Sequence, residues 1–205
     1  MSNLRFREYY RRRLPHIQIA GSTYFVTFRL KDSLPKDALE KLAEETARIK
    51  ELPKDEVALE YRRWFGKFDE YLDQASSGET FLQNEQVANL VAESIHYRDG
   101  KVYDLYSFCI MPNHAHLVFM PLEKSEGEFH SLPKILQSLK RHTARQSNLI
   151  LGRAGAFWQD ESYDHVIRDE KELERIIKYV LNNPVKAGQV DGWNKWKWSY
   201  CKYDL

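Results

Sequence analysis

The sequence predicts an α+β fold in which strands and helices follow the order β-α-β-β-α-β, with one more helix at the end. Three observations predict it. Residues 24–30 alternate between two faces as a half-buried strand does, residues 103–120 contain two strands joined by a tight turn, and the segments around 84–97 and 132–148 repeat apolar side chains at helical spacing. This order is typical of the split βαβ, or ferredoxin-like, arrangement, an antiparallel sheet with two helices on one face.

The first half of this order rests on one strand and one helix. In the strand at 24–30, β-branched and aromatic residues predominate, and Tyr24, Val26 and Phe28 share one face. A helix is predicted from about Asn84 to Tyr97, because apolar residues recur there at helical spacing.

The second half begins with the strands at 103–110 and 114–120, which a three-residue turn joins into a hairpin. The helix at 132–148 follows, and a weaker fourth strand is predicted at 163–167. The last helix begins at Asp169, and we expect it to end at about Asn182, since Asn183-Pro184 disfavours helical backbone.

Residues 36–75 are a charged helical insertion within a chain that we predict to be a single domain over 1–205. Pro53 divides the insertion into two helices, and Ser76-Ser77-Gly78 ends the helical pattern. The sequence assigns no role to this insertion.

The composition is that of an ordinary folded protein rather than a disordered chain. The 205 residues are 42% hydrophobic and carry a net charge of +1. This small sum conceals an uneven distribution, with a basic block at Arg11, Arg12 and Arg13 and an acidic insertion. Two cysteines are too few for a disulfide framework and predict a reducing compartment. Because no apolar run of membrane length and no secretory signal is visible, we expect a cytoplasmic location.

The segment Met-Pro-Asn-His-Ala-His at 111–116 is the first candidate site. Residues two apart share one face of a strand, so His114 and His116 project side by side, roughly 7 Å apart at their backbones. Ala115, Leu117 and Phe119 then face the core. Two imidazoles held in this way can bind one metal ion, although paired surface histidines are the commoner meaning of an isolated H-x-H pattern.

The second candidate site lies on the last helix. Leu173, Ile176, Ile177, Val180 and Leu181 define its buried face. Tyr179 and Asn183 lie on one flank, roughly one turn apart, where a phenol is not needed for packing. The pair offers a nucleophile and a carboxamide oxygen, whereas a boundary tyrosine and a helix-capping asparagine are the alternatives.

Together these motifs resemble the REP-associated tyrosine transposases within the HUH single-tyrosine family. The second motif reads Tyr-x-x-x-Asn-Pro-x-x-Ala-Gly at 179–188, and the resemblance extends from about Pro15 to Tyr200. Supporting matches are found at 24–28, 140–143, 157–159 and 198–200.

The resemblance implies a DNA strand-cleaving and strand-transfer enzyme that acts on single-stranded or hairpin DNA. Tyr179 would form a 5′-phosphotyrosine, while His114, His116 and Asn183 would hold Mg²⁺ or Mn²⁺. No nucleotide cofactor and no membrane are expected, and the protein would be a monomer or homodimer. The predicted DNA-binding cations are Arg11, Arg12, Arg13, Lys134, Lys140, Arg141 and Arg145.

Two alternatives stay open at this point. One is a non-catalytic, domesticated DNA-binding protein of the same fold. The other is a metal-dependent hydrolase in which the ion activates water and Tyr179 only orients the substrate. A covalent adduct between protein and DNA distinguishes the transposase from both.

Overall fold

A computed structural model describes residues 6–11, 15–74 and 78–204 of the chain. It has an α+β fold with five α-helices and a five-stranded antiparallel sheet. In chain order the elements are β1 (Phe6–Arg11), β2 (Pro15–Ile19), β3 (Tyr24–Leu30), α1 (Lys36–Lys50), α2 (Lys54–Gln74), α3 (Glu85–His96), β4 (Tyr103–Ile110), β5 (His114–Pro121), β6 (Glu123–Ser125), β7 (Glu128–Phe129), α4 (Leu132–Ile150), β8 (Trp158–Val166), α5 (Glu170–Lys186) and β9 (Ser199–Cys201).

The five-stranded sheet has the order β8-β3-β5-β4-β9, and every neighbouring pair is antiparallel. Strands β3 and β5 are central. Their register places Thr27 opposite His116 and Arg29 opposite His114. The predicted order of four strands and two helices is present, and β9 extends the sheet at one edge. The hairpins β1–β2 and β6–β7 form two further small sheets.

One face of the sheet, which we call the apolar face, packs against α3 and α4. It presents Val26, Phe28, Ala115, Leu117 and Phe119, as the alternation in the sequence predicts. Helix α3 begins where predicted, because the Asn84 side chain accepts hydrogen bonds from the backbone N–H groups of residues 86 and 87 at 3.0 and 3.2 Å.

The opposite face, which we call the histidine face, packs against α1, α2 and α5. Its second apolar cluster includes Phe25, Val118, Phe65, Leu72 and Val180. The insertion at 36–75 is therefore two helices, as predicted, and these helices cover the sheet. Trp64 of α2 ties them together by donating its indole N–H to the Leu42 carbonyl at 3.0 Å.

Three sequence expectations need correction. Strand β3 is buried on both faces rather than half-buried, because the insertion covers its second face. Strand β8 begins at Trp158, five residues before the predicted start. Helix α5 continues past Pro184 to Lys186, because a proline in the last turn removes only one backbone donor. Gly188, with a φ of 67°, then ends the helical segment.

Both cysteines, Cys109 and Cys201, are free thiols. Across the part of the chain that the structure describes, every helix is too short or too polar to cross a bilayer.

Candidate metal and tyrosine site

The two predicted histidines lie together in the interior, beneath the insertion. His114 and His116 project from β5 onto the histidine face, both are fully buried, and their Nε2 atoms are 3.0 Å apart. Two ring nitrogens this close must share a proton or a cation, since two lone pairs repel. The position of the pair was predicted, but its burial was not.

Neighbouring side chains fix how these rings are oriented. The Nδ1 atom of His114 is 2.7 Å from Asn113 Oδ1, and the Asn113 amide N–H donates to the Leu72 carbonyl at 3.0 Å. Because Asn113 Oδ1 can only accept, His114 donates from Nδ1 and keeps a lone pair on Nε2. His116 Nδ1 lies 2.7 Å from Thr27 Oγ1, which leaves its Nε2 directed at the same point. Burial, and next the nearby His116, lower the pKa of His114 to about 3, so the ring is neutral at pH 7.

A carboxylate from the insertion completes this cluster. Asp69 of α2 is fully buried, and its Oδ1 lies 3.3 Å from His116 Nε2. The ligand atoms of Asp69, His114 and His116 all lie within 4.8 Å of one another. Burial alone would raise the pKa of Asp69, but the two histidines and the Tyr179 hydroxyl outweigh it and hold that pKa below its ordinary value. The Oδ1 atom has no hydrogen-bond partner within the described residues.

Asn183 approaches the cluster from α5. It is buried, its amide nitrogen lies 3.1 Å from His116 Nε2, and its Oδ1 has no hydrogen-bond partner among the described residues. Its buried position means that it is not a solvent-exposed helix cap. Half a turn of the carboxamide exchanges its nitrogen and oxygen ends, which would direct the oxygen toward the ring nitrogens.

Tyr179 meets the same cluster. Its hydroxyl donates a hydrogen bond to Asp69 Oδ2, and its ring centroid lies 5.9 Å from that of His116. The ring also packs edge-on against Phe25 at 6.0 Å, so the tyrosine does contribute to packing, contrary to the sequence expectation. Burial, followed by the negative charge of Asp69, raises the pKa of Tyr179 well above its ordinary value.

This set of ligands fits a divalent metal ion. The Nε2 atoms of both imidazoles converge with a buried carboxylate. Two buried oxygens, Asp69 Oδ1 and Asn183 Oδ1, lack hydrogen-bond partners among the described residues, although Asp69 Oδ1 lies 3.3 Å from His116 Nε2. Unpaired buried polar atoms of this kind are costly unless something binds them. Mixed imidazole and oxygen ligands are compatible with several divalent metal ions.

Tyr179 lies at the edge of this buried cluster, where a surface cavity of about 460 Å³ opens. Cationic side chains of α5, namely Arg175, Lys178 and Lys186, line the cavity together with Trp193. Lys186 donates to Asp73 of α2 at 2.9 Å. Among the side chains of the site, the Tyr179 phenol is therefore the one that lies next to a positively charged surface.

The predicted DNA-binding cations lie elsewhere. Lys134, Arg141 and Arg145 are exposed on α4, which covers the apolar face rather than the histidine face. Lys140 donates to the carbonyls of Gln159 and Asp160 at 2.6 and 2.9 Å and so contacts β8. Arg12 and Arg13 lie outside the described residues, and only the backbone of Arg11 is described.

Asp69 is the site residue that the sequence interpretation missed. Eight acidic residues at 40–70 obscure it, because nothing local distinguishes one carboxylate from the others. A signal did exist: Asp69 follows Phe65 by four residues and precedes Leu72 by three, so it occupies the apolar face of α2. An acid at a core position is rarely tolerated without a partner.

Comparison with known proteins supports the resemblance noted from the motifs. No family model matches the chain. A provisionally named REP-associated tyrosine transposase of Haemophilus influenzae is 27% identical over 108 residues, which is 50% of this chain and 61% of that protein. The REP-associated tyrosine transposase of Escherichia coli is 22% identical over 148 residues, or 71% of this chain and 84% of that one. The chain thus spans about three fifths of the first relative and most of the second.

A solved structure agrees in fold. A REP-associated tyrosine transposase bound to a REP hairpin aligns with a TM-score of 0.51 and 18% identity, covering 97% of this chain and 82% of that one. At that identity the likeness concerns the fold alone. In sequence, this chain is similar to the REP-associated tyrosine transposases of both organisms.

Proposed function

We propose that this chain is a transposase that cleaves and rejoins single-stranded DNA through Tyr179, with a divalent metal ion held by His114, His116, Asp69 and Asn183. The observation that carries the proposal is the meeting of Tyr179 with the buried Asp69–His114–His116 cluster. A phenol hydroxyl and two imidazoles are brought together from α5 and β5, elements that lie far apart in the sequence.

The relatives supply the substrate class. The solved neighbour is bound to a REP hairpin, so we propose hairpin-forming single-stranded DNA as the partner of this chain. We also propose that the sheet order β8-β3-β5-β4 is a ferredoxin-like catalytic core, with α5 as its catalytic helix and residues 36–75 as an insertion within one domain.

The reaction conserves atoms and protons. The Tyr179 oxygen bonds to phosphorus as the bond to the 3′-oxygen breaks, which gives a 5′-phosphotyrosine. The phenol proton passes to the acceptor already in contact with it, Asp69, and a proton is returned to the leaving 3′-oxygen. Rejoining runs the same steps backwards with a 3′-hydroxyl as attacking group. A bound divalent ion supplies positive charge that stabilises the charge developing on phosphate and lowers the pKa of the phenol.

The side chains around the site limit how DNA can enter. His114, His116, Asp69 and Asn183 are all buried, whereas Tyr179 is only partly buried and lines the cavity together with Arg175, Lys178 and Lys186. A strand approaching along these cations reaches the phenol first.

The test is formation of a covalent adduct. Labelled single-stranded oligonucleotides from the DNA that flanks this chain's gene are incubated with the protein and Mn²⁺ or Mg²⁺, then separated on a denaturing gel. We expect a labelled band at the mass of protein plus DNA, abolished by chelator and by Tyr179→Phe. Tyr106→Phe is the matched control, because that tyrosine is also partly buried against the same apolar cluster but lies on β4.

The outcome also decides between the alternatives. Cleavage without an adduct, undiminished in Tyr179→Phe, would show a hydrolase in which the ion activates water. DNA binding with neither cleavage nor adduct would show a non-catalytic DNA-binding protein.

A further inference from the structure

A second cavity lies on the other side of α2 from Tyr179. It is a cleft of about 370 Å³ between the insertion helices and the sheet edge formed by β3 and β8. Its apolar wall consists of Leu42, Trp64, Phe68 and Tyr163, and Arg29 of β3 lies in its lining. We refer to it as the Arg29 cleft.

Arg29 is a buried cation with few partners. Arg29 is only 7% exposed, and its Nη1 atom makes two long contacts, to the Leu30 carbonyl at 3.4 Å and to Ser33 Oγ at 3.3 Å. Within the described residues it forms no ion pair, although Asp32 acts on it through space. A guanidinium carries five N–H donors, and only the Nη1 group of Arg29 forms hydrogen bonds with other described residues.

Such a side chain is costly unless an anion binds it. Burial of a charged group carries a desolvation penalty that a neutral hydroxyl and one carbonyl compensate poorly. Planar guanidinium groups bind phosphate oxygens with two parallel hydrogen bonds. Lys50 and Glu161 also line the cleft, so its charged groups sum to one net positive charge.

The cleft is separated from the metal cluster by Thr27. Thr27 belongs to its lining and contacts His116 Nδ1 at 2.7 Å, while Arg29 is the cross-strand neighbour of His114. A group bound in the cleft is therefore separated from the histidines by one residue of β3.

We propose that the Arg29 cleft binds one nucleotide of the DNA strand next to the site of cleavage. Its phosphate contacts the Arg29 guanidinium, and its base packs on the aromatic wall of Trp64, Phe68 and Tyr163. This inference rests on the proposed function, because it supposes that the substrate is a single DNA strand. It gives the insertion a second role, as one wall of a base-binding site.

The test is equilibrium binding without chemistry. Fluorescence anisotropy of a labelled single-stranded oligonucleotide is measured in EDTA over a series of salt concentrations, with wild type, Arg29→Met and Arg29→Lys. We expect Arg29→Met to bind about tenfold more weakly and to lower the slope of log K against log salt by about 0.7, the value for one phosphate contact in single strands. Arg29→Lys keeps the charge and should keep the slope.

A second variant tests the base without altering β3. Ala43 is an exposed residue that lines the cleft, so Ala43→Trp fills the cleft from α1 and leaves the sheet unchanged. We would use a series of oligonucleotides, each of which lacks the base at a different single position. The wild-type protein should bind more weakly only when the missing base is next to the cleaved bond. Ala43→Trp should bind that abasic strand and the intact strand equally.

The cleft proposal is overturned if Arg29→Met and wild type show the same slope of log K against log salt. A lower affinity or melting temperature of Arg29→Met would not rescue it, because a purely structural arginine affects folding only. Adduct formation by Tyr179 together with that result would leave the proposed function intact. Conversely, an Arg29-dependent slope with no adduct would overturn strand cleavage and leave the cleft as a DNA-binding site.

Discussion

The two faces of the central sheet are built from the same strands but hold different chemistry. On the apolar face, Val26, Leu117 and Phe119 pack with α3 and α4 in a predominantly apolar layer, in which the buried polar groups of Tyr103 and Trp158 are hydrogen-bonded. On the histidine face, Thr27, His114 and His116 lie buried among apolar side chains, and α2 and α5 bring Asp69, Asn183 and Tyr179 against them. A layer that buries so many polar groups is poorly explained by stability and well explained by function.

A substitution on one face of the sheet can be matched by a substitution on the other face. Residues His116 and Leu117 are adjacent on β5 and point to opposite faces, which makes them a natural pair. Substitutions there separate chemistry from stability at nearly the same place in the fold.

The largest effect is expected for His116→Ala. Loss of a metal ligand should lower adduct formation about 1,000-fold or more, because the bound ion contributes several kcal/mol to the transition state. The melting temperature of the wild-type protein should rise with added Mn²⁺, and that of His116→Ala should not. Adduct formation is measured on denaturing gels and the metal response by calorimetry.

Asp69→Asn sharpens the same experiment. This variant keeps the size of the side chain and removes its charge, so the Mn²⁺-dependent rise in melting temperature should become smaller. An undiminished rise would remove Asp69 from the ligand set, and DNA binding in EDTA should be the same in all three proteins.

Leu117→Ala should have the opposite profile. Leu117 is fully buried in the apolar layer, so truncation should lower the free energy of unfolding by about 2–5 kcal/mol, as large-to-small core substitutions do. The Mn²⁺-dependent rise in melting temperature should persist. Urea denaturation measures the first quantity; a variant that lost the metal response as well would show that the two faces are not independent.

The smallest effect concerns acid stability of the metal-free protein. The pKa of His114 is lowered to about 3 in the folded state, so the unfolded chain binds more protons below pH 6.5. Stability should therefore fall as the pH drops from about 6.5 toward 3, by about 2 kcal/mol over the first two pH units. The lowered pKa of Asp69 acts in the same direction at lower pH.

Urea denaturation in EDTA at several pH values checks this. The curve of stability against pH should be flatter for His114→Gln than for wild type. Leu117→Ala should shift the curve down without changing its slope. Parallel curves for wild type and His114→Gln would show that this histidine does not determine the acid sensitivity.

The apolar face could be predicted from sequence because its signals are local. The helical spacing at 132–148 identifies the side that faces the core and was confirmed. The alternation at 24–30 placed Tyr24, Val26 and Phe28 on one face correctly, but the half-buried strand that it predicted is buried on both faces. The Met-Pro-Asn-His-Ala-His and Tyr-x-x-x-Asn-Pro motifs likewise located His114, His116 and Tyr179, three of the side chains that the structure brings together.

The histidine face could not be predicted in full because it is assembled from distant segments. Helix α2 packs over β3 and β5 through Phe65 and Leu72, and no local pattern says which sheet face an insertion covers. The continuation of α5 past Pro184 has a similar cause. Asn183 is held in helical backbone by its contact with His116, and this tertiary contact overrides the local preference before proline.

The long sequence separations within the site have a consequence for synthesis. The Tyr179–Asp69 contact joins residues 110 positions apart, and the Thr27–His116 contact joins residues 89 apart. Contacts of such separation form late in folding, because long loops must close first. A chain emerging from the ribosome therefore cannot assemble the phenol with the imidazoles until α5 has been made, and a nascent or truncated chain that ends before this helix would lack the proposed nucleophile.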